Sequence, residues 1–314
     1  MSDVDIIGLG NKILKKFGFQ SVEYFGPSKN YVFLCVDKDG KKSVFKMFHI
    51  HADRKEEDLK KAWREIAFHH YAGAKLRLPT MLACEYSSGE LGVHLLTEFK
   101  VIREIPPKTV TKERVLEAVE KLFWLHAIRV SSLNPGLRAR IEEEDLRNNE
   151  WLLAEAKSLC AAGFLSKKAL LKTQSAAGKI RDNPLFAKSK KTLCHGDARI
   201  ENAYEDENGK LQFRDFEHAN VNSPLLDGAS FYYSIYQSEL RETFQEAFLE
   251  KFVKEYPDAK LRDAKSAFAY FVIHRLMAWL KHNTTFSKDL GEKTAQKRIR
   301  AAAALLEDFL GTAP

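Results

Sequence analysis

His195, Asp197, Asn202 and Asp215 crowd into the stretch LCHGDARIENAYEDENGKLQFRDFE, residues 193–217. Two short extended runs in it flank an Asn-Gly turn, a strong local signature of a tight hairpin. A hairpin returns its second strand beside its first, so Asn202 before it and Asp215 after it can converge on one point. One carboxylate and one amide oxygen suit Mg2+, a hard cation that takes oxygen ligands and borrows the rest from water and phosphates. Asp197 is then left to orient a hydroxyl and accept its proton. The plain alternative is a solvated hairpin whose polar groups face water.

The elements that must position these groups are legible on either side. YVFLCVD, then KDG, then KKSVFKMF reads as a hairpin of apolar, β-branched and aromatic runs around an Asp-Gly turn. From Asp53 to about Tyr71, Leu59, Ala62, Trp63, Ile66 and Ala67 recur at helical spacing, with Asp53 placed to cap the helix. TMLACEY and GVHLLTEF are two further extended runs on either side of the turn signal SSGE. The prolines of REIPPKT mark a break, after which helical patterns run over 111–130, 141–161 and 165–181, with three more beyond 237. The expected fold is α+β: a small antiparallel-sheet lobe with one helix over 1–98, a hinge near Glu98 to Pro107, and a larger, mainly helical lobe over 99–314.

Composition narrows the function classes. The 314 residues carry 50 Lys and Arg against 43 Asp and Glu, a formal charge of +7, but the basic residues are interspersed with acids rather than massed. That argues against nucleic acid as a partner, since such binding needs a concentrated basic footprint. The most apolar stretch, FAYFVIHRLMAWL at 268–280, is interrupted by His274 and Arg275 and is too short to cross a bilayer. It reads as a core helix. The N-terminus has acids where a secretion signal carries basic residues, and Cys35, Cys84, Cys160 and Cys194 form no CxxC pair. A cytoplasmic protein with reduced thiols and no membrane insertion is expected.

HGDARIEN followed by RDFE resembles the HxDxxxxN and D-[FW]-E motifs of the aminoglycoside phosphotransferase and choline kinase superfamily, relatives of the protein kinases. Five fixed positions (His195, Asp197, Asn202, Asp215 and Glu217), each matched at roughly one in twenty for average composition, make coincidence a poor explanation. The resemblance implies a bilobal protein kinase-like fold that uses ATP and Mg2+, with Asp197 as the catalytic base and Asn202 and Asp215 as metal ligands. It extends over nearly the whole chain. VFKMF puts Lys46 at the family's strand lysine for the α- and β-phosphates, and REIAFHHYAG puts Glu65 at the helix glutamate that holds it. FGPSKNYVF resembles the nucleotide loop, with Gly26, Ser28 and Asn30 near phosphate and only one glycine. HLLTEF fits the hinge that binds adenine through backbone around Glu98 and Phe99. LFWLHAI resembles the Leu-x-x-Leu-His stretch of the helical core, and SPLLDGASF makes Asp227 the brace of the catalytic loop through His195. In that pattern His195 is structural and transfers no proton, and Glu217 supports the site.

The implied activity is transfer of the ATP γ-phosphoryl group to a hydroxyl of a small molecule: a sugar, a sugar-like metabolite or an amino alcohol such as choline. DFEHANVN is similar to the choline kinase version, with Asn222 where aminoglycoside kinases usually carry Asp. A basic chain is also an awkward host for a polycationic drug. Phe231, Tyr232, Tyr233, Tyr236, Phe271 and Trp279 supply aromatic surface for the acceptor region, most of it core. Two alternatives stay open: a protein kinase-like enzyme with a polypeptide acceptor, against which DFE for DFG and the missing APE segment argue, and a nucleotide-binding module without catalysis. GLGNK at 8–12 lacks the preceding strand of a dinucleotide fingerprint. HIH at 49–51 and HH at 69–70 lack a third ligand at metal spacing and read as solvated histidines. KSKK at 188–191 reads as a solvated loop that could steer an anionic substrate.

Overall fold

The computed structural model describes residues 3–27, 30–86, 92–100, 103–141, 150–181, 183–185, 191–285 and 292–312. They form two compact units, one built from Met1–Glu104, Ile128–Glu142 and Ala203–Ala219, the other from Ile105–Ala127, Glu143–Asn202 and Asn220–Pro314.

The first unit centres on a five-stranded antiparallel sheet in the order β1-β2-β3-β5-β4. Its strands are β1 (Phe19–Pro27), β2 (Tyr31–Asp37), β3 (Lys42–Phe48), β4 (Met81–Tyr86) and β5 (Val93–Glu98). The KDG hairpin forms as its sequence dictates. β2 and β3 pair from Tyr31↔Met47 to Val36↔Lys42, Gly40 takes φ +79°, and Asp37 Oδ1 accepts the turn amides of Asp39 and Lys41 at 2.9 Å each. Only glycine adopts that φ without steric cost. Alternation along the strands sends Phe33, Phe45 and Met47 into one cluster with Ile6, Leu14 and Leu96. Phe48, Ile50, Val93 and Leu95 form a second cluster with Ala62 and Ile66 of α2 (Lys55–Leu76). The SSGE turn lies outside the described residues.

Two local details differ from expectation. Asp53 does not cap α2: it sits in a short 3-10 turn, Ala52–Arg54, and the cap position is held by Arg54 with no side-chain cap bond. Asp58, inside the first turns, reaches back to the amide of His51 at 3.0 Å. A second helix, α1 (Asp3–Lys16), packs on β1 and β2 in addition to the expected one. Its interior Gly8 and Gly10 weaken its propensity, but a Cβ at Gly10 would lie 2.7 Å from the Phe33 ring. The glycine is what lets the helix close on the sheet. A small sheet, β6-β8-β9, completes the unit: β6 (Arg103–Glu104), β8 (Ala203–Glu205) and β9 (Leu211–Phe213). The β8–β9 hairpin pairs Ala203↔Phe213 as its Asn-Gly turn predicts.

The second unit is mainly helical. The helix Leu261–Thr285 runs through it and packs on helices 225–234, 292–312, 238–255, 167–181 and 150–161. Phe268, Phe271, Val272, Ile273, Leu276, Met277 and Leu280 are buried along it, as a core helix requires. Phe231, Phe244, Phe248 and Phe268 interlock with centroids 5.0–6.1 Å apart. A Cβ at Gly228 would meet the Phe248 ring at 2.6 Å, so this packing depends on glycine there. A buried two-stranded ladder joins β7 (Thr192–Cys194) to β10 (Asn220–Asn222). It delivers the chain to His195. Among the described residues no helix is long and apolar enough to cross a membrane.

Candidate active site

Each unit gathers one set of chemically competent side chains. In the first, β3 points Lys46 toward α2, where Nζ lies 2.9 and 2.7 Å from the two carboxylate oxygens of Glu65. It also lies 3.2 Å from Asp215 Oδ1 and 4.9 Å from the Phe48 ring centroid. Asp215 follows β9 in the left-handed region, φ 69°, ψ 59°, a conformation that Asp tolerates better than most residues. Phe216 next to it stacks on Phe68 of α2 at 4.8 Å, and Arg64 Nη1 donates to Glu217 O at 3.0 Å. These contacts hold the RDFE turn against α2.

Carboxylate oxygens of Glu65, Asp215 and Glu217 all lie within 4.8 Å of one another. Burial opposes the charge of Lys46, but Asp215, Glu65 and Glu217 outweigh it and hold its pKa above the ordinary lysine range. Burial, reinforced by Asp215 and Glu217, pushes Glu65 up to about 7, with Lys46 pulling the other way. With His218 Nε2 also 3.2 Å from Glu217 Oε1, the three carboxyl groups around Lys46 make an oxygen-rich cluster, the donor chemistry a divalent cation takes.

The second unit carries the 195–202 loop. The Asp227 carboxylate, fully buried, accepts the amides of His195 at 2.7 Å and Gly196 at 2.9 Å, and His126 Nε2 at 3.0 Å. Burial works against its charge, yet His126 and His195 hold it below the usual carboxylate range. The His195 ring accepts the Asp197 amide at Nδ1, 3.3 Å, and so carries its proton on Nε2. Ser234 Oγ accepts the Ile200 amide at 3.0 Å. Asn202 turns its amide NH2 onto Asp197, 2.8 Å to O and 3.0 Å to Oδ2. That orientation keeps its Oδ1 for an electropositive partner.

Two residues around Asp197 were not singled out from the sequence as site residues. Arg199 grips the carboxylate with both arms, Nε to Oδ1 at 2.8 Å and Nη2 to Oδ2 at 2.9 Å. Arg275, from the 261–285 helix, places Nη2 at 2.8 Å from Gly196 O and 3.3 Å from Asp197 Oδ1. Arg199 sat in plain view two positions past Asp197. For Arg275 the available signal was a charge interrupting the most apolar stretch of the chain. His126 and Arg64 anchor the two clusters; His126 stands in LFWLHAI and Arg64 opens REIAFHHYAG, but neither was given a role from the sequence.

The remaining candidates are placed more quietly. Asn30 is buried and its Oδ1 accepts the His49 amide at 3.2 Å; Gly26 lies in β1, and Ser28 is outside the described residues. Glu98 ends β5, its amide donating to Thr80 O at 2.9 Å, and the Phe99 amide donates to Lys42 O at 3.3 Å. Any base held at this segment must use other backbone groups than those two amides. The histidines read as solvated are mostly engaged: His49 and His51 stack at 4.0 Å, His51 Nδ1 meets Asp58 Oδ2 at 2.8 Å, and His69 Nδ1 meets Pro79 O at 2.9 Å. Only His70 is exposed. Residues 188–190 of KSKK lie outside the described residues. A cavity of about 600 Å3 lined in part by His69, Arg77, Lys100, Tyr204 and Asp206 contains none of the motif residues. Its Lys100 and Asp206 are bonded to backbone of Leu78 and Lys210, so cavity size does not mark the chemistry here.

The sequence pattern of the phosphotransferase enzyme family matches residues 26–262. No curated protein matches the sequence. Among solved structures, the GDP complex of an aminoglycoside 2'-phosphotransferase-IIIa is similar over 99% of both chains, with TM-score 0.69 and 16% identity. The choline kinase LicA from Streptococcus pneumoniae is similar over 98% of this chain and 100% of its own, with TM-score 0.57 and 17% identity. A thermostable mutant of aminoglycoside phosphotransferase APH(4)-Ia gives TM-score 0.59 at 15% identity, over 96% of this chain and 100% of its own. At these identities the likeness speaks for the fold, which is protein kinase-like.

Proposed function

Because the chain belongs to the phosphotransferase enzyme family, and is thereby an enzyme that moves a phosphoryl group to a hydroxyl acceptor, we propose that its donor is Mg-ATP and its acceptor a small molecule. The acceptor class is a sugar, a sugar-like metabolite or an amino alcohol. The division of labour assigns nucleotide binding to a lobe over 1–98 and acceptor binding and catalysis to one over 99–314, with Asp215 and Glu217 contributed by the 203–219 segment that folds with the first unit.

In this reading Lys46, fixed by Glu65, binds the α- and β-phosphates as a point charge. Asp215 and Asn202 would hold Mg2+, which when bound screens the charge of the phosphates. Gly26, Ser28 and Asn30 shape the loop over the nucleotide, and backbone around Glu98 and Phe99 receives the base. Asp197 orients the acceptor hydroxyl. The acceptor oxygen bonds to the γ-phosphorus as that phosphorus leaves the bridging oxygen of ADP, and the hydroxyl proton passes to Asp197. His195 and Asp227 keep the loop in place and move no proton.

The observation that carries the reading is the cluster of Glu65, Asp215 and Glu217 around a single ammonium, Lys46. A charged, oxygen-rich cluster of this kind supports a divalent cation with phosphates over an apolar ligand. The test is release of ADP from Mg-ATP, or of GDP from Mg-GTP, across sugars, amino alcohols, hydroxy acids and aminoglycosides, run beside Asp197→Asn. Transfer in the wild type that is lost in the variant supports the assignment. Wild-type turnover retained by Asp197→Asn refutes it, and label appearing on polypeptide would redirect it to a protein acceptor.

A further inference from the structure

Arg199 and Arg275 bring two guanidinium groups to one carboxylate, that of Asp197. Neither arginine can lose its charge at physiological pH; burial opposes the charge of Arg199, and Asp197 more than restores it. Both are largely sequestered from bulk solvent, with side chains 27% and 20% exposed against 15% for Asp197. Glu201, the other carboxylate that Arg199 feels, is exposed, where water and salt screen it. Tyr233 beside them is neutral, its pKa pushed up to about 12 by burial against the pull of Arg199 and Arg275. It stacks on Trp279 at 6.2 Å. Arg275 Nε is buried without a hydrogen-bond partner. The surroundings of Asp197 therefore carry surplus positive charge, hydrogen-bond donors and an aromatic face.

This environment opposes the base role of Asp197 and also bears on the acceptor's charge. A bidentate guanidinium occupies both carboxylate oxygens and lowers their basicity, and a surplus cation repels an ammonium-bearing acceptor. An anionic group on the acceptor resolves both, because it can take a guanidinium from Asp197 and free an oxygen for the hydroxyl. Building on the phosphotransferase reading above, we propose that the acceptor is a hydroxyl compound that carries a carboxylate or phosphate, bound by Arg199 and Arg275. The amino alcohols drop out of the acceptor class. Arg199 and Arg275 become specificity determinants: the anion docks on them, and its docking unlatches Asp197.

The full-length protein with Mg-ATP or Mg-GTP is assayed with glycerate against glycerol, ribose 5-phosphate against ribose, and choline. These arms separate a carboxylate requirement from a phosphate requirement. The expected result is a kcat/KM at least about tenfold higher for an anionic probe than for its uncharged counterpart, the range of a charge-assisted hydrogen bond. Arg275→Gln loses the preference mainly through KM of the anionic probe, and Arg275→Lys restores part of it. Should Arg275→Gln fail to fold, Arg199→Gln serves the same comparison. Equal or better turnover of ribose, glycerol or choline overturns the inference and leaves the phosphotransferase reading intact. Failure of the wild type to bind either nucleotide overturns the reading itself. If nucleotide binds but every probe is silent, thermal unfolding decides: glycerate or inorganic phosphate stabilises the wild type over chloride at equal ionic strength, and less so Arg275→Gln. No anion-specific stabilisation, or equal stabilisation of the variant, overturns the inference.

Discussion

Replacing Asp227 by alanine takes away the one carboxylate that fixes the start of the 195–202 loop. It is fully buried and accepts three hydrogen bonds, from the His195 amide at 2.7 Å, the Gly196 amide at 2.9 Å and His126 Nε2 at 3.0 Å. Each donor left buried and unpaired costs about 1–3 kcal/mol, which gives a ceiling near ~9 kcal/mol for three. The ceiling is too high, because the vacated carboxylate volume is about that of one water and lies among polar partners that can hold it. A loss of about 4 kcal/mol is expected, the scale of breaking a buried charge pair from one side. Asp227→Asn keeps the volume and one acceptor oxygen but turns an NH2 toward a donor, so about half that loss is expected. Urea unfolding measures both as shifts in midpoint at unchanged m-value. Turnover follows, since a displacement of about 1 Å at Asp197 is worth roughly a hundredfold in kcat. A loss under about 1 kcal/mol for Asp227→Ala, or full activity in it, refutes the view that this carboxylate holds the loop.

Three further outcomes are expected. Asp197→Asn lowers kcat by at least about a hundredfold, the lower range of general-base catalysis, while the Kd for Mg-nucleotide measured by calorimetry stays near wild type; a comparable fall in nucleotide affinity would contradict the base role. His274 is buried and burial, with Arg275 adding to it, lowers its pKa to about 3. Unfolded, it binds a proton below about 6.5, so its neutral form stabilises the fold above that pH and the stability is lost on acidification, about 2 kcal/mol between pH 7 and 5; His274→Phe flattens that part of the stability–pH curve, and an unchanged slope would show that His274 does not set it. Gly228→Ala puts a Cβ at 2.6 Å from the Phe248 ring and destabilises by about 1–3 kcal/mol through overpacking, read from the urea midpoint.

What could be read from the chain depended on how local the determining physics was. The KDG and NG hairpins were legible because turn glycines and alternating apolar residues act within a few positions. The 261–285 helix was legible because its apolar run exceeds what any surface helix carries. The helix α1 was not, because Gly8 and Gly10 lower its helix propensity, and the reason for Gly10 is a ring on β2, Phe33. Asp53 had the right chemistry for a cap, but the chain entered α2 through a 3-10 turn and Asp58 tied the entry from the inside. Side chains inside a helix reaching backward leave no pattern that spacing alone reveals.

The site divides along the same line. His195, Asp197 and Asn202 fall on one short loop, so their meeting is a matter of local backbone, and the loop brings them within hydrogen-bond reach. Lys46 and Glu65, 19 positions apart on a strand and the helix after it, are nearly as local. Arg275 comes from 78 positions away to the same carboxylate, and nothing in the neighbourhood of either residue encodes that approach. The trace it leaves is the burial of a charge in an apolar helix, which is unfavourable unless a partner of opposite sign is present. Reading FAYFVIHRLMAWL as core was right about its fold. A half-buried arginine in a helix without acidic neighbours at i ± 3 or i ± 4 must find its counter-charge elsewhere in the chain; that this partner is Asp197 only the fold discloses.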